Sequence, residues 1–397
     1  MSDDAGEGFA MGGEWPYDAA RITVFEGLEA VRRRPGMYTG STGVRGLHRM
    51  VLGVVEHAVN ETVARRSRTV EVTFLAGGGV RIADDGPGVP LDAPADDGGP
   101  SLEQRLCHLY AGKRVVGRSR LWAWSGGTEL AVVNALSTRT TAEVCREGVR
   151  RVREFARGTV LGPPVVAGPA DRTGTALTFH PDPGIFETVD ASAAALGEQL
   201  RELAFLYPGL GLTLTDERPA DGPGVQRYRH PGGVRDHVTA LCAARSGTPP
   251  EHLLAFSLED PRMAGVLDVA LAWRQEDRGQ VIGYANGRAT PHGGTHLEGF
   301  LDGLAGAVTS YTRACGLLSG EAPAIGPEAM GSEAAGYAVT AVVSVRLDEP
   351  EFTGSTLTTL GGARVRACVE EAVREHVRGW LEADPERAAR VVGPWTG

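Results

Sequence analysis

The stretch from Leu47 to Ala64, LHRMVLGVVEHAVNETVA, alternates apolar and polar positions with the period of a helix. Its apolar residues recur every three or four positions, which predicts an amphipathic helix with one buried face. Gly53, His57 and Asn60 fall at i, i+4 and i+7, so they share a second face. The apolar face comprises Leu47, Met50, Val51, Val54, Val55 and Ala58.

A strand and an acidic, glycine-rich loop follow this helix. The run from Val70 to Leu75 is rich in the β-branched and aromatic residues that favour a strand. Arg81 to Pro90 reads RIADDGPGVP, and its Asp, Gly and Pro residues are typical of a turn. A helix, a strand and a loop of this kind, in this order, are able to build a nucleotide pocket.

The remainder of the first half predicts mixed strands with helices on one side, which is typical of an α+β sandwich layer. Pro35 and Gly36 are expected to stop the first helix, and residues 37–46 to form a loop. The predicted helices are 22–33, 101–110, 130–136 and 196–206, and the further predicted strands are 141–145, 149–154 and 175–179.

A second pattern begins near residue 222. A helical run lies between strands that are able to pair in parallel, which predicts a second α/β unit. Its predicted helices are 234–244, 296–311 and 363–383, and its predicted strands are 266–273, 280–284 and 339–347.

Composition narrows the class of protein. A length of 397 residues with 42% hydrophobic and 23% charged residues predicts a soluble protein of two or three domains. No apolar run approaches the roughly 18 residues of a membrane span, and the acidic N-terminus lacks the features of a signal peptide. The five cysteines form no CxxC pair, so a cytoplasmic location is expected. The net charge of −10 argues against broad nucleic-acid affinity.

Five motifs together resemble one family, namely the N-terminal ATPase and transducer region of the gyrase B and topoisomerase IV ParE proteins of bacterial type IIA topoisomerases. This family belongs to the GHKL superfamily, and the chain resembles a divergent, stand-alone paralogue. The motifs are RRRPGMYTG (32–40), DDGPGVP (84–90), AVVNAL (131–136), TGT (173–175) and GGTHLEGF (293–300).

The resemblance implies an α+β GHKL (Bergerat) ATPase sandwich followed by a ribosomal-protein-S5-like α/β transducer domain. The expected organisation is a flexible arm over residues 1–20, an ATPase-like domain over 21–221 and a transducer-like domain over 222–397. No TOPRIM domain is expected, because the chain ends where the family's TOPRIM domain begins.

The resemblance also assigns the adenine end of a pocket. Asp84 matches the aspartate that accepts the adenine amino group, and Gly88 lets the backbone approach the base. Thr175 matches a threonine that bridges the base and the aspartate, and Arg146 matches an arginine at the pocket mouth. Tyr17 matches the arm tyrosine that reaches the nucleotide of the partner protomer in a homodimer. A plain Asp-Gly turn and an exposed strand arginine are the alternatives.

The phosphate end departs from the family pattern. Gly53 stands at the position of the glutamate base, and His57 stands at that of the asparagine that ligates Mg²⁺, which prefers oxygen ligands. In the lid, Gly127 keeps its place but Glu129 replaces a glycine. Leu357 replaces the transducer lysine that contacts the γ-phosphate. The family's Mg²⁺ site is therefore not expected to carry over, whereas ATP or ADP binding remains compatible with the adenine end.

Three residues near the expected phosphate end are candidates for phosphate binding or acid–base chemistry. Lys113, the single lysine of the chain, aligns with a family lysine near the phosphates. Glu56 is an alternative base, one turn from the usual position, and His57 is either a hydrogen-bonded pocket histidine or a group with a new role in binding or acid–base chemistry. The absent side chain of Gly53 is expected to leave space beside His57.

Removal of a positioned base costs roughly 10²–10⁴ in rate, so the leading hypothesis is a pseudo-ATPase that binds a nucleotide or another small molecule. The alternatives are an ATP-hydrolysing topoisomerase component and a pathway protein whose pocket serves antibiotic self-resistance or new chemistry. A set of arginines on the last helix either lines a DNA cavity or forms a solvated face with nearby glutamates, and the second is the more common arrangement. These arginines are Arg364, Arg366, Arg374 and Arg378.

Overall fold

The computed structural model describes most of the chain, and the residues it describes are 27–63, 69–95, 98–111, 128–220, 222–275, 279–319, 323–326, 337–354 and 357–393.

Three helices open the described chain: α1 (Gly27–Arg33), α2 (Pro35–Thr39) and α3 (Val44–Val63). Helix α3 is the helix predicted from the apolar pattern, and all six residues of its predicted apolar face are at most 2% exposed. The loop predicted over residues 37–46 is wrong at both ends, because α2 extends to Thr39 and α3 already begins at Val44. Pro35 occupies the first position of α2, where its missing N–H has no helical partner to lose and its fixed φ suits a helix.

The first sheet has nine strands and follows the order β5-β4-β3-β7-β2-β1-β8-β9, with β6 paired to β4. All of its pairs are antiparallel except β1 with β8, which run parallel. The strands are β1 (Thr69–Phe74), β2 (Val80–Asp84), β3 (Ser137–Arg146), β4 (Val149–Ala156), β5 (Thr159–Val160), β6 (Val165–Pro169), β7 (Gly174–Pro181), β8 (Gly211–Asp216) and β9 (Gly224–Tyr228).

Helices α4 (Leu102–Cys107), α5 (Glu129–Ala135) and α6 (Ala193–Leu206) belong with this sheet. The side chains of β1 alternate between buried Val70, Val72 and Phe74 and more exposed positions, as expected for a sheet that is covered on one face. The core side chains of α3 and α5 pack in the same cluster as these strand residues. The α3 helix therefore lies on the covered face, beside the end of β2.

The second sheet follows the order β10-β11-β14-β12-β13. Strands β12 and β14 pair in parallel and are separated in sequence by helix α8, which is the connection that the sequence predicts. The elements are α7 (Val234–Ser246), β10 (His252–Asp260), β11 (Gly265–Gln275), β12 (Gln280–Ala285), β13 (Arg288–Ala289), α8 (Thr295–Ala314) and β14 (Tyr337–Leu347), followed by β15 (Phe352–Thr353), β16 (Thr359–Leu360), α9 (Ala363–Glu382) and α10 (Pro385–Val392).

The arginines of α9 take part in ion pairs. Arg366 contacts Asp302 at 2.7 Å and Glu298 at 3.0 Å, both on α8. Arg374 pairs with Glu370, one turn away on the same helix. These contacts agree with a solvated, ion-paired face on this helix. Within the ranges given above, no helix combines the length and the apolar composition needed to cross a bilayer.

Candidate functional site

The end of strand β2 and the start of strand β7 meet at Asp84. The Oδ1 atom of Asp84 accepts hydrogen bonds from the backbone N–H of Gly86 at 2.9 Å and of Thr175 at 3.3 Å. A Cβ atom on Gly174 would lie 2.2 Å from the carbonyl oxygen of Asp84, so only glycine permits this approach of the two chains. The loop after β2 is thereby held against β7.

The other residues assigned to the adenine end lie in the same place. The hydroxyl oxygen of Thr175 accepts a hydrogen bond from the N–H of Val89 at 3.0 Å. The Nη1 atom of Arg146 donates to the carbonyl oxygen of Gly88 at 3.3 Å. A Cβ on Gly88 would lie 2.6 Å from the carbonyl oxygen of Cys145, so the loop packs directly on β3. The structure thus brings together the four described residues that the sequence assigned to this end.

The Asp84 carboxyl group has an unusual acidity. Burial raises its pKa to about 7, and the charges of Glu61 and Asp85 act in the same direction. The backbone hydrogen bonds from Gly86 and Thr175 oppose this shift. Burial destabilises the charged form of this carboxyl group, so a ligand that donates a hydrogen bond to it would stabilise that form.

The α3 helix forms the wall that leads away from Asp84. A Cβ atom on Gly86 would lie 3.7 Å from the carbonyl oxygen of Glu61, which places the last turns of α3 beside the Asp84 loop. Glu61 also pairs with Arg105 of α4 at 2.9 Å. His57 lies one turn before Glu61 and Gly53 one turn before that, so Gly53 lies near the middle of α3, about two turns from Glu61.

The structure places a neighbouring side chain against Gly53, whereas the space expected beside His57 stays a prediction. A Cβ atom on Gly53 would lie 3.0 Å from Cβ and 3.2 Å from Cγ of Glu129, at the start of helix α5. Contacts this short are rare, so a side chain at position 53 would require Glu129 to move. The loss of one side chain at this end coincides with the gain of another from a neighbouring helix.

Gly53 and Glu129 line a cavity of about 510 Å³ together with Arg45, Arg49 and Glu56. Burial lowers the pKa of the Arg49 guanidinium from its ordinary value, and the charges of Glu56 and Glu129 act against this shift. His48 also lines the cavity, where its Nε2 accepts a hydrogen bond from the N–H of Ser192 at 3.0 Å. The cavity therefore combines carboxylates with permanently charged guanidinium groups.

A further arginine approaches from the second sheet. Arg288 of β13 is buried, with 8% of its surface exposed. Burial lowers its pKa to about 10; the charge of Arg49 acts in the same direction, and that of Glu56 opposes it. Arg45, Arg49 and Arg288 were not singled out from the sequence. The spacing of Arg45 and Arg49, one helical turn apart on α3, was the available signal, whereas only the tertiary structure reveals Arg288.

The residue at the position that the resemblance assigned to the Mg²⁺ ligand does not match the preference of this ion. The side chain at the family's ligand position is the imidazole of His57, whereas Mg²⁺ prefers oxygen ligands. Among the described residues, no group of three or more His, Cys, Asp or Glu side chains is arranged to hold a metal ion. No chemical step is therefore assigned to a resident metal.

Three predicted site residues, Tyr17, Lys113 and Gly127, lie outside the described residues, as does the N-terminal arm. Leu357 is described, and it adopts a left-handed backbone conformation with φ of 52° in the turn between β15 and β16. An isolated Leu in this conformation is uncommon.

The sheet order, the wall helix α3 and the Asp84 loop define a protein of the GHKL class, a Bergerat α+β sandwich followed by a transducer domain. The DNA gyrase B family model matches residues 233–395. The chain belongs to the DNA gyrase B family.

Individual relatives agree with this assignment. A novobiocin-resistant DNA gyrase B of Streptomyces niveus is 38% identical over 392 residues, which cover 95% of this chain and 57% of that protein. The DNA gyrase B of Streptomyces coelicolor is 38% identical over 394 residues, covering 95% and 56%. The 43K ATPase domain of Thermus thermophilus gyrase B, solved in complex with an aminocoumarin, is 30% identical with a TM-score of 0.76, covering 92% of this chain and 93% of that one. The chain thus spans a little over half the length of these curated relatives.

Proposed function

We propose that this chain is an adenine-nucleotide-binding unit of the gyrase B type in which hydrolysis is slow relative to binding. The observation that carries the proposal is the hydrogen-bonded loop around Asp84. The partly buried carboxyl group of Asp84, the N–H of Thr175 that donates to it and the loop through Gly88 lie together beside helix α3. Slow hydrolysis follows from Gly53, because α3 offers no side chain where the family carries its base.

A calorimetric titration with ADP and with ATP, each with and without Mg²⁺, tests binding. Asp84→Ala is expected to weaken ADP binding at least tenfold, because a charge-assisted hydrogen bond to the base is lost. Asp85→Asn is the matched control, since the carboxylate of Asp85 accepts a hydrogen bond from the N–H of Thr69 at 2.9 Å instead. Equal ADP affinity in wild type and Asp84→Ala contradicts the proposal.

The second candidate is an ATP-hydrolysing component of a type IIA topoisomerase, and the gyrase B relatives favour it. Phosphate release at saturating ATP distinguishes the two. Turnover at the rate of a gyrase B ATPase fragment measured in parallel supports the second candidate, and a rate roughly 10²–10⁴ lower supports the first.

A small molecule other than a nucleotide is the third candidate ligand. The observation in its favour is that the Thermus thermophilus domain was solved with an aminocoumarin. Thermal unfolding with and without an aminocoumarin tests it, because a ligand that binds only the folded state raises the melting temperature.

The organisation proposed with this function is an arm over 1–20, an ATPase-like domain over 21–221, a transducer-like domain over 222–397, and a homodimer formed through the arm. Light scattering with and without nucleotide tests the dimer.

A further inference from the structure

We infer that Glu129 supplies, at the phosphate end of the pocket, the carboxylate base that position 53 lacks. The inference rests on the proposed binding of an adenine nucleotide. It names the residue that acts as the base in the slow hydrolysis that remains. The first step is steric. A Cβ on Gly53 would lie 3.0 Å from Glu129 Cβ, so the Glu129 side chain begins directly against position 53, and both residues line the same cavity.

The second step is the position of Glu129 along the wall. The turn of α3 that contains Glu61 lies beside the Asp84 loop, and Gly53 precedes Glu61 by eight residues. Eight residues correspond to about 12 Å along a helix. A nucleotide whose base contacts Asp84 and whose phosphates follow α3 therefore directs its terminal phosphate toward Gly53 and Glu129.

The third step is the electrostatic environment. Glu129 is partly buried and lines the same cavity as Arg45 and Arg49. Its charge acts on the Arg49 guanidinium, as the charge of Glu56 does. Guanidinium groups are suited to neutralising phosphate oxygens, and a carboxylate beside them is suited to accepting a proton from water.

The chemical step balances with water as the only co-reactant. The oxygen of a water molecule attacks the γ-phosphorus of ATP while one of its protons passes to the Glu129 carboxylate. The bond between the γ-phosphorus and the bridging oxygen breaks, and ADP leaves with the electron pair of that bond. The products are ADP and inorganic phosphate, and Glu129 returns its proton to solvent.

A carboxylate in this place has two effects of opposite sign. It accelerates hydrolysis as a base, yet its negative charge repels the γ-phosphate in the bound ground state. Glu129→Gln keeps the shape of the side chain and removes both effects. We expect this variant to bind ATP about three- to tenfold more tightly relative to ADP, and to release phosphate at least tenfold more slowly. A purely structural role for Glu129 does not produce tighter binding together with slower turnover.

The experiment compares the wild-type chain with Glu129→Gln and with the exchange variant Gly53→Glu/Glu129→Gly. Calorimetry gives the affinities for ADP and ATP, and single-turnover assays with γ-labelled ATP give the hydrolysis rate. Glu198→Gln is the matched control, because the Glu198 side chain is 75% exposed on α6. The exchange variant returns the carboxylate to α3 and is expected to hydrolyse ATP at least as fast as wild type. Folding of each variant is checked by its ADP affinity.

The outcomes separate the inference from the function on which it rests. If ADP binds to neither wild type nor variants, the proposed function itself fails. If ADP binds normally but Glu129→Gln leaves both the ATP preference and the hydrolysis rate unchanged, only the inference is overturned. The inference is also overturned if wild type releases no phosphate in the single-turnover assay, or if Glu56→Gln slows hydrolysis whereas Glu129→Gln does not.

Discussion

Replacement of Asp84 by asparagine should stabilise the folded chain and lower its affinity for the ligand. Asn has nearly the same shape as Asp, and its Oδ1 atom is able to accept the hydrogen bonds that Gly86 and Thr175 now donate to Asp84. It carries no charge that burial would penalise. The Asp84 carboxylate is therefore able to accept a hydrogen bond from a ligand, but its charge destabilises the folded state at neutral pH.

The magnitude follows from the pKa of Asp84, which burial raises from 3.8 to about 7. In the unfolded chain this carboxyl group loses its proton near pH 4, whereas in the folded chain it keeps the proton until about pH 7. The folded state therefore binds more protons over this range, so stability falls as pH rises from about 4 to about 7. At about 1.4 kcal/mol per pH unit, the full shift amounts to at most ~4 kcal/mol. Because Asp84 is only partly buried, we expect a gain of about 1–3 kcal/mol from Asp84→Asn at pH 8.

Urea unfolding of wild type and Asp84→Asn at pH 4, 6 and 8 measures this difference. Other titrating groups contribute equally to both proteins and cancel in the comparison. The two free energies of unfolding should coincide at pH 4 and separate progressively toward pH 8, with the variant more stable. Curves that run parallel from pH 4 to pH 8 refute the reasoning, because they mean that folding does not raise the pKa of Asp84.

Two further predictions concern other sites. Gly174→Ala places a Cβ 2.2 Å from the carbonyl oxygen of Asp84 and should lower the free energy of unfolding by roughly 2–3 kcal/mol. Gly162→Ala is the control, because its added Cβ meets no atom within 4 Å and should change the free energy of unfolding little. Similar urea midpoints for the two variants would be inconsistent with the close approach at Gly174. Burial chiefly lowers the pKa of His237 to about 4, and the charges of Arg201 and His230 add to this shift. The unfolded state takes up that proton first, so stability falls as pH drops from about 6.5 to about 4, and His237→Phe should remove up to ~3 kcal/mol of this acid sensitivity in calorimetric scans.

Local patterns in the sequence were sufficient for much of the fold. The apolar face of α3 was predicted because helical periodicity alone decides which side is buried, and its six residues are indeed buried. The parallel pairing of β12 and β14 followed from a helix between two β-branched runs. Short or polar strands such as β5, β6 and β9 were missed, because their pairing with neighbouring strands, and not their own composition, makes them strands.

The candidate site divides in the same way. The sequence by itself determined which residue types stand around the Asp84 loop, since Asp84, Gly88 and Thr175 lie in short motifs whose spacing carries the resemblance. It also determined that α3 carries Gly53 where a base is expected. Only the tertiary structure decided which side chain lies against Gly53. Glu129 is 76 residues away along the chain, and two helices must pack before its side chain meets that glycine. Contacts of this kind depend on how whole elements pack together, and no local pattern of residues encodes them.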